Sequence, residues 1–241
     1  MVASGIMPVH IRRGARLPTL ACTLLLGLTA GSACDTSTPR PGATPAAPTD
    51  AITPSPTPDP RLELTATVAA AGVLPAEIGV AQAKAEETIG KLAMPCNTPL
   101  TTQNVAAHSW TFSDAKPAVV SNSVFAYYPE AGTRVIEQIR PALTACQTWN
   151  WASTWDMAVL GEFAVPAPAG VDNAVAYCHR GTILAGTNKG DQAHLCDGLV
   201  SRGHLVAQVS TVQVTLAAAQ VELRKALPLA GAGLVRAVAA P

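Results

Sequence analysis

Short runs rich in β-branched and aromatic residues recur through the middle of the chain, each bounded by Gly, Pro, Asp or Asn. HSWTFS (108–113) and AVVSNSVFAYY (118–128) predict two strands joined by a turn at 114–117. Further strands are expected near 154–163, 173–180, 194–201 and 205–211, the last two linked by a tight turn at Arg202-Gly203. Helical spacing takes over elsewhere. LELTATVAAAG suits a short Ala-rich helix ended by Gly72, and 81–92 reads as a second helix, with Glu86 and Glu87 on a solvated face and Pro95-Cys96 beyond it. In 129–146, Val135, Ile136, Ile139 and Leu143 fall on one stripe that Pro141 should kink. A last helix over 214–227 should stop at Pro228, and the tail 229–241, apolar but interrupted by Gly, either packs as a further helix or stays loose.

This order of elements predicts an α+β fold: a largely antiparallel sheet of about five to six strands packed with helices. All aromatic residues lie between Trp110 and Tyr177, so the sheet should carry the bulky part of the core, with the Ala-rich helices lying close against it.

The N-terminal quarter is patterned differently. His10, Arg12, Arg13 and Arg16 precede an uncharged stretch from Leu17 to Ala33 containing TLLLGLTA, which is the layout of an export signal over residues 1–33, with Met1 or Met7 as the start. A membrane span needs about 20 apolar residues, and this stretch is shorter and carries Pro18. Composition changes abruptly after Cys34: eight of the 26 residues from Asp35 to Pro60 are Pro and six are Thr. Such a segment cannot bury apolar surface, so 34–60 is read as a semi-rigid spacer and 61–228 as the folded domain.

Charge narrows the partners. Lys+Arg and Asp+Glu are equal at 16 each; removing the leader takes three arginines and no acid, leaving 13 against 16. A weakly acidic product without a basic block is a poor nucleic-acid binder.

Six cysteines are present: Cys22 in the leader, Cys34 at its end, and Cys96, Cys146, Cys178 and Cys196 in the body. Export implies an oxidising compartment, and of the three possible connectivities the sequence-local one, Cys96 with Cys146 and Cys178 with Cys196, is favoured. Plain cleavage before Cys34 would leave it unpaired at the new N-terminus. Gly31-Ser32-Ala33-Cys34 resembles the bacterial lipoprotein signal, in which small residues precede a cysteine that becomes diacylglyceryl-modified, although Gly31 stands where that signal usually has an aliphatic residue. The expectation is a lipid anchor on Cys34.

Candidate chemistry in the body is sparse. Cys178-His179 with His194-Leu195-Cys196 has the inventory of a zinc site, but on strands residue 179 points away from 178 while 194 and 196 share a face, so the reading is a cross-strand disulfide flanked by surface histidines, with no metal and no cofactor. Trp149, Trp151 and Trp155 put two indoles on one face if their segment is a strand. They form either a ligand cleft able to stack on sugar rings or ordinary core. No G-x-S-x-G, H-E-x-x-H, P-loop or G-x-G-x-x-G occurs, so catalytic residues are not assigned; the enzyme alternative is, for instance, an envelope hydrolase built from His108 or His204.

The Cys96 region, VFAYYPEAGTRVIEQIRPALTAC, and LCDGLVSRGHLVAQVS followed by a terminal helix together resemble the extracytoplasmic sensor domain of mycobacterial protein kinase H and the actinobacterial lipoproteins that carry the same domain. The chain departs from that pattern in its tryptophans, which follow Cys146 rather than precede it, and in His204, where Asn is common. The resemblance implies an α+β domain with two disulfides that binds an unidentified ligand in a cleft, and it transfers no catalytic residue. The expected protein is therefore a lipid-anchored, extracytoplasmic, non-catalytic sensor-like domain for a small molecule, a glycan or an envelope protein. The competing class is an accessory envelope protein acting through protein contact.

Overall fold

The structure, a computed structural model, describes residues 60–87, 91–116, 118–151 and 153–239. The leader 1–33, Cys34 and the spacer as far as residue 59 lie outside the described residues. Helix α1 (Pro60–Ala70) leads to strands β1 (Ala85–Glu87), β2 (Ala106–Thr111) and β3 (Val119–Ala126). Two short helices follow, α2 (Gly132–Glu137) and α3 (Ile139–Ala145). The remaining strands are β4 (Thr148–Trp151), β5 (Trp155–Glu162), β6 (Asn173–Ile183), β7 (Gln192–Arg202) and β8 (Leu205–Gln213), and α4 (Leu216–Ala239) closes the domain.

All eight strands form one antiparallel sheet in the order β1-β2-β3-β8-β7-β6-β5-β4. After β3 the chain crosses one face of the sheet through α2 and α3 to the far edge, then meanders strand by strand back to β3. The fold is α+β as expected, with eight strands rather than five to six. The two extra strands are the short edges β1 and β4.

Of the helix expected over 81–92, the described residues 81–87 and 91–92 are not helical. Ala85–Glu87 pairs with β2, and the Lys84 amide donates to the Thr111 carbonyl at 2.7 Å. The segment has helical propensity, but its helical stripe is weak, two of its four positions, Ala81 and Ala85, being alanine, and the backbone hydrogen bonds of an open sheet edge outweigh propensity alone. Glu86 and Glu87 are exposed on that edge, where charge discourages pairing with another chain.

The stripe of 129–146 divides at Gln138 rather than kinking at Pro141. Pro141 falls in the first turn of α3, where no amide is needed for the helical ladder. Pro228 does not end α4 either. It lies exposed on the outer side while the buried series Ala219, Leu223, Ala226, Leu227 continues through Ala230, Leu234 and Ala237. Burying a leucine contributes about 1.5–3 kcal/mol, so the apolar surface past Pro228 is comparable with the roughly 3 kcal/mol that an interior proline costs. Residues 229–239 therefore belong to the domain, and of the two readings of the tail it is the packed one that holds.

Side chains alternate cleanly between two cores. One face meets α1 and α4 with small and medium residues, among them Val124, Ala176, Cys178, Cys196, Val200 and Val209. The other meets α2 and α3 with Phe125, Tyr127, Val175, Tyr177, Leu199 and Val206. Gly233 shows how closely α4 is seated: a methyl group there would stand 2.2 Å from the Ala71 carbonyl oxygen.

Two disulfides staple this arrangement, with the sequence-local pairing. Cys178 and Cys196 are directly opposed on β6 and β7, with Cα atoms 4.1 Å apart, and both are buried under α4. Cys96–Cys146 ties the turn at Pro95–Asn97 to the end of α3. Sequence separations of 18 and 50 correspond to about 3 and 4 kcal/mol of loop-closure entropy.

Candidate functional site

Strand alternation and register bring a particular set of residues to the face that carries α2 and α3. Cys178 and Cys196 share the α4 face, so their neighbours His179, Leu195 and Asp197 all emerge on the opposite one. Asp197 pairs with Ser210 on β8, and Trp149 and Trp151 of β4 stand opposite Met157 and Trp155 of β5. The two short helices pack against β5 to β8 at one end of this face. Beyond them, Trp149 and Trp155 are half-buried and Trp151 is 48% exposed.

His179 is the centre of the site and is not a surface histidine: it is only 5% exposed. Its Nε2 lies 2.7 Å from Asp197 Oδ2. The other carboxylate oxygen, Oδ1, accepts from Ser210 Oγ and from Gln208 Nε2 at 3.2 Å. Asp197 thus accepts three hydrogen bonds from two strands, which fixes the imidazole tautomer with its proton on Nε2. Nδ1 is buried without a partner. The ring is held edge-on between Trp149 and Tyr177, with centroids 5.1 and 5.2 Å away. Burial, with the Asp197 charge adding to it, pushes the Tyr177 phenol well above its ordinary range.

The residue types Ser, His and Asp are present, but the wiring is not a nucleophile relay. A triad needs His between Ser and Asp, and here the carboxylate sits between the hydroxyl and the imidazole. What the arrangement does is lock His179, and through it one edge of Trp149. A second hydroxyl pair, Ser109 with Ser123, lies further across the same face.

Trp155 packs over Gly181 of the neighbouring strand. A Cβ at Gly181 would meet its six-membered ring at 2.5–2.9 Å, so the indole covers the place a side chain would have filled on β6. The three tryptophans are therefore brought together on one side of adjacent strands, where they form a platform near the sheet edge. The two grooves that line the short helices contain none of them. One, of about 490 Å³, runs between α3 and β5 beside the bidentate Arg140–Glu162 pair, and the other, of about 500 Å³, includes Thr101, Arg134 and Gln138.

The other sequence candidates scatter. His194 sits half-buried on the α4 face with the bonded sulfurs while His179 is on the opposite one, and among the described residues no three His, Cys, Asp or Glu side chains are grouped to hold a metal ion. His108 is 3.8 Å from Glu86, also on the α4 face. His204, in the β7–β8 turn, has Nδ1 2.8 Å from the Glu130 carbonyl and packs edge-on to Tyr128. No helix among the described residues is long and apolar enough to cross a membrane. Compared with known proteins, the sequence matches no family model and no curated protein.

Proposed function

We propose that this chain is an exported lipoprotein, anchored through Cys34 to the outer face of the cytoplasmic membrane, whose α+β domain is a sensor-like, non-catalytic ligand-binding module. The leader pattern, the small residues before Cys34 and the Pro/Thr-rich spacer support the export and anchoring part. An α+β domain with two disulfides agrees with what the resemblance to the kinase H sensor domain implies.

The observation that carries the binding role is the platform itself: one indole, Trp151, left largely in solvent, two half-buried indoles on the same face, and a buried polar network that holds one of those two in place. Large aromatic surface is kept exposed at an energetic cost, and rigid support behind it is what a recognition surface requires. The platform's openness also favours a second reading, contact with another envelope protein, which is the accessory role.

Native mass spectrometry of the protein purified from its own host tests the whole proposal, because it reports acylation, disulfides and any co-purified ligand together. Cys34→Ala should move the protein from the detergent to the aqueous phase in a Triton X-114 partition. Unchanged partitioning would remove the anchor and leave a secreted domain.

A further inference from the structure

The geometry points to an uncharged saccharide as the ligand of the indole platform, with Trp151 and Trp155 as the stacking residues. This inference rests on the binding role proposed above and adds the ligand class.

Three kinds of occupant can be weighed on shape and area. A compact apolar molecule gains most of its affinity by being enclosed, since small-ligand sites bury roughly 70–90% of the ligand. Trp155 covers Gly181, Trp151 opposite it on the edge strand is 48% exposed, and neither lines the two grooves beside α2 and α3, so the indoles are presented at the sheet edge. A protein partner needs about 800 Å² on each side. Trp151 at 48% exposure offers about 120 Å² of a side chain of roughly 250 Å², and the two half-buried indoles bring the patch to no more than about 300 Å². Interfaces are about 56–58% apolar, so a partner would need roughly 450 Å² of apolar surface here, more than the indoles supply.

A sugar ring differs from both. One of its faces is a sheet of C–H groups that gains from lying on an indole, while its hydroxyls prefer to stay in water or meet neutral donors and acceptors. An open, flat aromatic surface suits that two-sided chemistry and needs no enclosure.

Charge points the same way. Asp197, the acid nearest the indoles on this face, is already committed to His179, Ser210 and Gln208. Arg140, on the neighbouring helix, is committed to Glu162. Arg180 emerges on the α4 face, its pairing partner there being His194. The β6–β7 turn directly beyond the Trp155 row carries both Lys189 and Asp191, so its charges balance. The strand residues that share this face with the indoles thus offer no uncommitted charge, and the exposed Lys189 and Asp191 of the adjoining turn supply one charge of each sign, so neither an anionic nor a cationic ligand meets a net opposite charge. An uncharged ligand needs none.

The test is a titration of the full-length processed protein with uncharged tetrasaccharides built from glucose (α- and β-linked), mannose, galactose and N-acetylglucosamine, read by tryptophan fluorescence and by indole N–H chemical shifts. At least one series should saturate and shift the Trp151 and Trp155 indole resonances. Trp151→Ala and Trp155→Ala should each weaken it by about tenfold or more, whereas Val221→Ser on the exposed side of α4 should leave it unchanged. Trp151 is exposed on an edge strand, so its loss should spare the fold, and an unchanged amide spectrum confirms that. Failure of every sugar to move an indole, or binding undiminished in Trp151→Ala, overturns the saccharide assignment. If a non-sugar ligand recovered from the host, a peptide of the Pro/Thr-rich spacer or a protein partner shifts the same indoles instead, the ligand class is wrong and the platform stands. If the recovered ligand binds without touching any indole, the saccharide assignment and the platform as binding site both fall.

Discussion

Replacing Asp197 separates what its shape contributes from what its charge contributes. In Asp197→Ala, three hydrogen bonds to a carboxylate are lost, from His179, Gln208 and Ser210. Bonds to a charged acceptor contribute about 1.5–3 kcal/mol each, but the three do not add in full, because Ser210 is half-exposed and can turn to water. His179 and Gln208, 5% and 6% exposed, cannot. A loss of about 3–5 kcal/mol is expected. Asp197→Asn keeps an oxygen for Ser210 and Gln208 and offers an amide N–H to Nε2, so His179 must move its proton to Nδ1, which has no partner. That substitution should cost only about 1–2 kcal/mol. Urea denaturation gives both values, and imidazole ¹⁵N shifts report the tautomer directly. Equal losses for the two variants, a loss below about 1 kcal/mol for Asp197→Ala, or an Nε2-protonated His179 in Asp197→Asn would refute the reasoning.

Tyr127 is fully buried with its hydroxyl unpaired, so Tyr127→Phe should be neutral or stabilising by about 1 kcal/mol, a rise of roughly 2–4 °C in Tm. Burial holds its phenol above the ordinary value of 10.0, so the stability it contributes is complete below that pH and falls as pH rises past it; Tyr127→Phe should flatten that alkaline loss in a denaturation series from pH 9 to 11. Glu222 behaves in the opposite sense. Its bond from Lys225, and a weaker contribution from the Ala118 amide, hold its carboxyl below the ordinary 4.5, so its contribution is present above that pH and is lost as pH falls through the lowered value; the stability gap between wild type and Glu222→Gln should close in acid. Gly233→Ala sets a methyl 2.2 Å from a backbone oxygen and should destabilise by about 1–3 kcal/mol, more than Gly198→Ala, whose methyl meets the mobile end of Leu227; paired melting curves compare them. Under mild dithiothreitol, peptide mapping should find the half-buried Cys96–Cys146 opened before Cys178–Cys196, which is buried in the core.

Much of the fold is legible wherever a segment's pattern is decided by its own residues. Strands β2, β3 and β5 to β8 are each dense in β-branched or aromatic side chains and lie close to where the sequence puts them. The misreadings occur where partners decide. The segment 81–92 takes its strand from the open edge of β2, and α4 runs past Pro228 because a buried surface awaits Leu234. The site is legible by half. The tryptophans announce themselves by type. His179 does not, because its environment depends on which strand lies beside β6 and in what register. One signal was nonetheless present. A Cys178–Cys196 bond between neighbouring strands fixes their register, and that register sets residue 179 diagonally beside residue 197.

Helices α1 and α4, the first and last elements of the domain, pack on each other and on the same side of the sheet. The indoles are on the other side. Chain attached at either end therefore joins the domain behind the platform. A domain immobilised at its N-terminus, its C-terminus or both presents the tryptophans outward, free of its own attachment. A surface-coupled biosensor built at either terminus should consequently report the same affinity as protein free in solution.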